Sequence, residues 1–362
     1  MTQVAFHRKY RPTTLDRVIG QEKIVTRLKG MLSSGKIPSA IAFFGPPSAG
    51  KTTLGRCVAH ALNELPVEKQ TDYKEVDAAD ERGVDAVRDL IRNSRFRPQR
   101  NKRIILIDEA QQIVSNQVAA QALLKTLEEP SPDTLWIICS MEPEKFGTTR
   151  TGKAILSRCT QFVLQEPSES DLLKQAVRIA KGEGMSYAMD EERTVLKALV
   201  RGCNREMRTL ANLMQALQQY YEGLDKKPKK LGTEHLADLI SSVESPDDEL
   251  AADLMIGVYS KQYAAVQRAL LDVSDPYSFV KKCAWIAAFM LNVAVVGKHK
   301  KIWWSNANRK VHGATKNLKL TLGTLAAVNA TMVRIQGQAT SFAVPATDLM
   351  SSELYFLMEK FK

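Results

Sequence analysis

Nine residues, GPPSAGKTT at positions 45–53, fit the spacing G-x-x-x-x-G-K-[ST]. Glycines at 45 and 50 free a loop to wrap an anion with its backbone N–H groups. The start of a following helix adds partial positive charge. Between them Pro46, Pro47, Ser48 and Ala49 make the cradle. In such a loop Lys51 reaches the β- and γ-phosphates of a nucleotide. Thr52, followed by Thr53, supplies a hydroxyl for magnesium.

A second stretch, RIILIDEA at 103–110, supplies the acids this chemistry needs. Four apolar residues carry a buried strand to its carboxyl end, where Asp108 and Glu109 emerge. Asp108 is placed to hold Mg²⁺ directly or through water. Glu109 is placed to orient and deprotonate a water attacking the γ-phosphate. Cradle and acids together point to a nucleoside triphosphatase, with ATP and Mg²⁺ as the expected ligands.

These groups need a scaffold. Apolar, β-rich runs recur at 40–45, 73–77, 103–108, 135–140 and 160–164, with helical patterns between them. Strands alternating with helices predict an α/β fold with a parallel sheet covered on both faces. After Gln165 the pattern turns helical. Ser168 and Asp171 have capping-box spacing at a helix start, and Met207, Leu210, Met214, Leu217 and Tyr221 mark one apolar helix face. DKKPKKLG breaks that helix, SSVESPDD (241–248) reads as another boundary, and only helical patterns follow. The expected division is 1–165, a nucleotide-binding α/β domain, 166–243, a small helical domain, and 244–362, a C-terminal helical domain.

The chain has 362 residues and a net charge of +11, an excess that favours polyanions, nucleic acid first. No run of eighteen apolar residues exists, so no membrane span is expected. The N-terminal MTQVAFHRKYRP has no apolar core of signal-peptide length, so a cytoplasmic, unsecreted protein is expected. Five scattered cysteines with no CxxC pair imply buried thiols rather than a disulfide frame or zinc site.

Several stretches, beyond the two motifs, resemble the AAA+ clamp-loader ATPases, the replication factor C small-subunit and bacterial clamp-loader group. They are KYRPTTLDRVIGQEKIV (9–25), DAADERG (77–83), QALLKTLEEPSPDTLWIICSMEPEKF (121–146), ILSRCTQFVL (155–164) and MRTLANLMQ (207–215). The resemblance spans about residues 5–220, and it implies that 166–243 is the family's helical lid and 244–362 its oligomerising collar. It implies a subunit that hydrolyses ATP to open a sliding clamp and load it on primer–template DNA. It also implies partner subunits, in a pentamer with several copies of this chain. With only Cys57 in the segment where bacterial members carry a four-cysteine module, the chain is expected to be zinc-free, like replication factor C or phage members.

The resemblance assigns roles to positions. Arg158 is the arginine finger that enters a neighbouring subunit's ATP site. Tyr10, Arg11 and Pro12, with Val18, Ile19, Gly20 and Gln21, flank the adenine. Ser140 is sensor 1, where the family usually has Thr or Asn. Arg208 is sensor 2, with Arg205 as the alternative register. Arg82 and Gly83 open a DNA-facing helix, and Lys125 lies on a helix facing the central channel. Ser48 stands at a usual glycine, and GTTRTGK (147–153) is longer than the family's connection to the finger. GKHKKIWW (297–304) interleaves bases and aromatics, which suits either nucleic acid or a collar core. Rival expectations are a AAA+ helicase or helicase loader, which would lack SRC and ALLKTLEEP, and a non-hydrolysing scaffold subunit.

Overall fold

The computed structural model describes residues 4–80, 83–141, 143–190, 193–203, 205–232, 236, 246–273, 276–296, 306–339 and 346–360. Arg82, most of 241–248 and the stretch 297–304 lie outside them. The chain divides into two compact units, residues 1–219 and 220–362.

Five parallel strands form the sheet of the first unit: β1 (Ala40–Phe44), β2 (Tyr73–Asp77), β3 (Arg103–Asp108), β4 (Thr134–Ser140) and β5 (Thr160–Val163). Their order is β2-β3-β4-β1-β5. The three central strands are the ones with unbroken apolar runs. Every residue of β1 and β4 is buried, as is the IILI of β3. Edge strands β2 and β5 carry exposed polar residues, as one-sided cover requires.

Alternation across the sheet builds two cores. Ala40, Ala42, Phe44, Ile105, Ile107, Trp136 and Ile138 face one side, under α4 (Val84–Ser94), α6 (Gln117–Glu128) and α8 (Arg150–Ser157). Ile41, Phe43, Ile104, Leu106, Leu135 and Ile137 face the other, under α2 (Glu22–Ser33) and α3 (Lys51–Asn63). Each side chain points opposite to its neighbour because a strand repeats every two residues.

Short helices α1 (Phe6–Lys9), α5 (Gln111–Val114) and α7 (Pro143–Thr148) join these layers. Then come α9 (Glu169–Gly182), α10 (Thr194–Gly202) and α11 (Met207–Glu222). The capping box at Ser168 and Asp171 forms as its spacing predicts. The run 147–153 spans the end of α7 and the start of α8, where Thr149 caps by accepting from the Gly152 amide at 2.9 Å.

The second unit is helical: Pro246–Tyr259, Tyr263–Leu271, Pro276–Val296, Asn306–Thr315, Leu322–Ala339 and Ala346–Lys360. Its helices share one apolar core that includes Met255, Phe279, Ile286, Val328 and Leu354. A half-sheltered ion pair joins Lys282 to Asp248 at 3.1 Å.

Candidate nucleotide site

The carboxyl ends of β1, β3 and β4 lie side by side, with Phe44 registered against Ser140 and Ile107 against Ile138. Loops leaving that edge therefore converge, which is where open parallel sheets bind ligands. A cavity of about 410 Å³ opens there.

The loop after β1 is shaped by two glycines. Gly45 has φ 147° and Gly50 has φ 100°, both in the region that favours glycine. A Cβ at Gly45 would stand 2.8 Å from the Leu164 carbonyl oxygen. Ser48 also adopts a left-handed φ, 56°, where the expected family residue is glycine. Gly50 is the residue before α3, so Lys51, Thr52 and Thr53 form that helix's first turn. Their backbone N–H groups and the helix's positive end face the cavity mouth.

Lys51 Nζ donates to the carbonyls of Gly45 and Pro46, at 2.8 and 2.9 Å. Burial lowers its pKa, while Asp108 and Glu109 are among the groups that hold it up. Thr52 Oγ1 donates to Asp108 Oδ2 at 2.6 Å. Hydroxyl and carboxylate oxygens meeting beside a phosphate cradle are the hard donor set magnesium takes, so these residues fit Mg²⁺.

Glu109 follows Asp108 with φ 51°, and its N–H donates to Asp108 Oδ1 at 3.1 Å. Burial raises its pKa above the ordinary carboxylate value. Its carboxylate accepts a hydrogen bond from Gln111 Nε2, and Ser140 Oγ donates to Gln111 Oε1 at 2.7 Å. Ser140 is fully buried and does not line the cavity; Gln111 links it to Glu109, which does. Gln111 was not singled out in the sequence, because a glutamine in QQIV carries no motif.

Residues of the N-terminal segment and of α9 and α11 close the other walls. Tyr10, Arg11, Pro12, Val18 and Ile19 line the cavity, as do Pro47 to Thr53, Asp108, Glu109 and Arg208. Tyr10 donates its hydroxyl to Glu183 at 2.5 Å, and burial with that contact pushes its pKa up to about 12. Gln21 lines the cavity as well, and its amide donates to the carbonyls of Ala49 and Gln165 and accepts from the Gln165 amide. Gln21 thus ties the cradle to the segment that follows β5.

Two arginines, Arg11 and Arg208, line the cavity with no ion pair to a described acid. Burial lowers the Arg11 pKa, and Arg56 and Arg208 press on it with like charge. Arg205 points elsewhere, 3.9 Å from Glu166 and largely exposed. Of the two registers left open by the sequence, only Arg208 meets the cavity.

Arg158 is not at its own chain's cavity. It ends α8, just before β5, and its Nη1 donates to the Ala154 carbonyl at 2.7 Å. Its Nη2 donates to Glu128 Oε1 at 2.7 Å, at the last residue of α6. The DNA-side candidates sit apart from the cavity too. Gly83 precedes α4 with an ordinary φ of −68°, and Lys125 is exposed on α6.

Residues 20–168 match the family model described as DNA polymerase III, delta subunit. The chain is 34% identical over 212 residues to the replication factor C small subunit of Aeropyrum pernix. That alignment covers 58% of this chain and 61% of the relative. With the DNA polymerase III subunit gamma of Buchnera aphidicola subsp. Schizaphis graminum it shares 33% over 226 residues, 58% of this chain and 59% of that one. The chain thus spans about three-fifths of the length of these relatives. The Holliday junction branch migration motor RuvB of Thermotoga maritima superimposes with a TM-score of 0.53 at 16% identity. It covers 69% of this chain and 80% of its own, a likeness of fold.

Proposed function

We infer that this chain, a member of the AAA+ clamp-loader family, is an ATP-hydrolysing subunit that opens a sliding clamp and loads it on primer–template DNA. The observation that carries the reading is the convergence of Lys51, Thr52, Asp108, Glu109 and Arg208 on one cavity at the sheet's carboxyl edge. These types in this arrangement suit one reaction, displacement at a terminal phosphate by water.

In that reading, backbone N–H groups of residues 47–53 and the Lys51 ammonium hold the β- and γ-phosphates. Thr52 and Asp108 would hold Mg²⁺, which when bound offsets phosphate charge. Glu109 takes a proton from the attacking water. Arg208 meets the γ-phosphate from the lid. Tyr10, Arg11, Pro12, Val18 and Ile19 flank the base and sugar.

Arg158 supplies the missing cation to a neighbouring subunit. Its distance from its own cavity supports a role in trans, where an arginine finger is worth about 10³–10⁵ in rate. Gly83 and Lys125 face the phosphates of the duplex, and the excess positive charge assists that contact. Several copies of the chain with partner subunits make the working particle.

The test is hydrolysis by the chain assembled with its partner subunits, measured with and without primer–template DNA and a ring clamp. The reading expects stimulation by both together. No hydrolysis above background under any combination would instead mark a scaffold subunit.

A further inference from the structure

Glu109, Gln111 and Ser140 form a hydrogen-bonded row at the carboxyl ends of β3 and β4. Gln111 is 2% exposed and Ser140 is fully buried. The polarity of the row follows from chemistry. A carboxylate only accepts, so the Gln111 NH₂ faces Glu109 and its carbonyl faces Ser140. A carbonyl also only accepts, so the Ser140 hydroxyl proton is committed to Gln111.

Glu109 needs such a partner. Its φ of 51° places it in the left-handed region, which costs a non-glycine residue about 1–2 kcal/mol. A strained turn alone does not aim a two-fold carboxylate. The charges facing it pull in different directions: Asp108 on β3, Asp77 at the end of β2, and Lys51 on α3. The bond from Gln111 is the one directional contact among them.

We propose that Gln111 is a positioning residue for hydrolysis, aiming the carboxylate of Glu109 and tying that aim to the buried hydroxyl of Ser140. The proposal rests on the reading of Glu109 as the base. The Gln111 amide holds one oxygen of the Glu109 carboxylate, and Gln111 is itself held by the Ser140 hydroxyl, so removing the donor frees the carboxylate to rotate.

The experiment uses the full chain in its assembly with DNA and clamp, and measures kcat and the Kd of ATP. Gln111→Glu keeps length and an oxygen for Ser140 but removes the donor to Glu109. Gln111→Met removes both bonds at similar volume. Both variants should lose about tenfold to a hundredfold in kcat, less than the ~10²–10⁴ that a general base supplies because the carboxylate itself remains. The Kd of ATP should change by less than about threefold, a split expected when a transition-state contact is lost. Wild-type kcat in Gln111→Glu would overturn the proposal. So would a parallel fall of kcat and ATP affinity in both variants, which marks a structural role. Glu109→Gln run alongside separates the layers: if it still hydrolyses ATP, the base assignment itself fails. If it is inactive while the Gln111 variants behave as wild type, only the positioning role falls.

Discussion

Arg158 and Glu128, thirty residues apart, close the ends of α8 and α6 onto each other, with Nη2 donating to the carboxylate at 2.7 Å. The same guanidinium caps the Ala154 carbonyl, a favourable place for a cation at a helix end. The side chain is about one-third exposed and its partner nearly half exposed. The pair is therefore a holder that another anion can compete with, not a buried lock.

That relationship makes the first prediction. Glu128→Ala should cost less than about 1 kcal/mol of stability, since partly exposed pairs contribute little. It should also raise, rather than lower, ATP hydrolysis by the assembled particle at limiting subunit concentration, because the finger no longer leaves a competing carboxylate. Chemical denaturation and steady-state turnover check the two halves.

A second prediction contrasts two glycines. Gly45→Ala puts a methyl 2.8 Å from the Leu164 carbonyl at φ 147° and should cost more than about 2 kcal/mol. Gly83→Ala meets nothing within 4 Å at an ordinary φ and should stay within about 1 kcal/mol. Thermal unfolding of the two variants gives the comparison.

A third concerns pH. As the proposed base, Glu109 must be ionised to accept a proton, and burial raises its pKa, so activity should disappear as pH falls through that raised value. The acid limb of kcat should lie above the ~4.3 of a free glutamate. Glu183 shows the opposite sign. Against its burial, bonds from Lys9 and Tyr10 hold its carboxyl low. Its contribution to stability is complete at neutral pH and is lost as pH falls through the depressed value. Amide exchange in the α1 segment should therefore quicken below about pH 4.

Much of this was legible in the residues. The strands of the sheet show as apolar runs because central parallel strands are buried on both faces, and the cradle shows because its glycine spacing has one geometric purpose. The Ser168 capping box and the 207–222 helix follow from local spacing as well. The rest depends on contacts between distant positions. Tyr10 meets Glu183, Arg158 meets Glu128, and Gln21 turns to the backbone of Gln165, none of which any local pattern encodes. Gln111 stayed hidden for a related reason. Its importance comes from β3 and β4 ending side by side, which brings Ser140 to its carbonyl. In the second unit the helical patterns at 248–259, 261–271 and 276–297 meet the observed helices to within two residues at each end.

The central claim is that ATP held by one protomer is cleaved with a cation from the next. Mixing two inactive variants tests it directly: Lys51→Ala, which cannot hold ATP, and Arg158→Ala, which cannot supply the finger. In particles assembled with DNA and clamp, each alone should lose stimulated hydrolysis by about 10³-fold or more. Mixed particles should recover a fraction set by seams that pair an intact cradle with an intact finger. Arg158→Ala particles that hydrolyse ATP at the full stimulated rate would contradict the account.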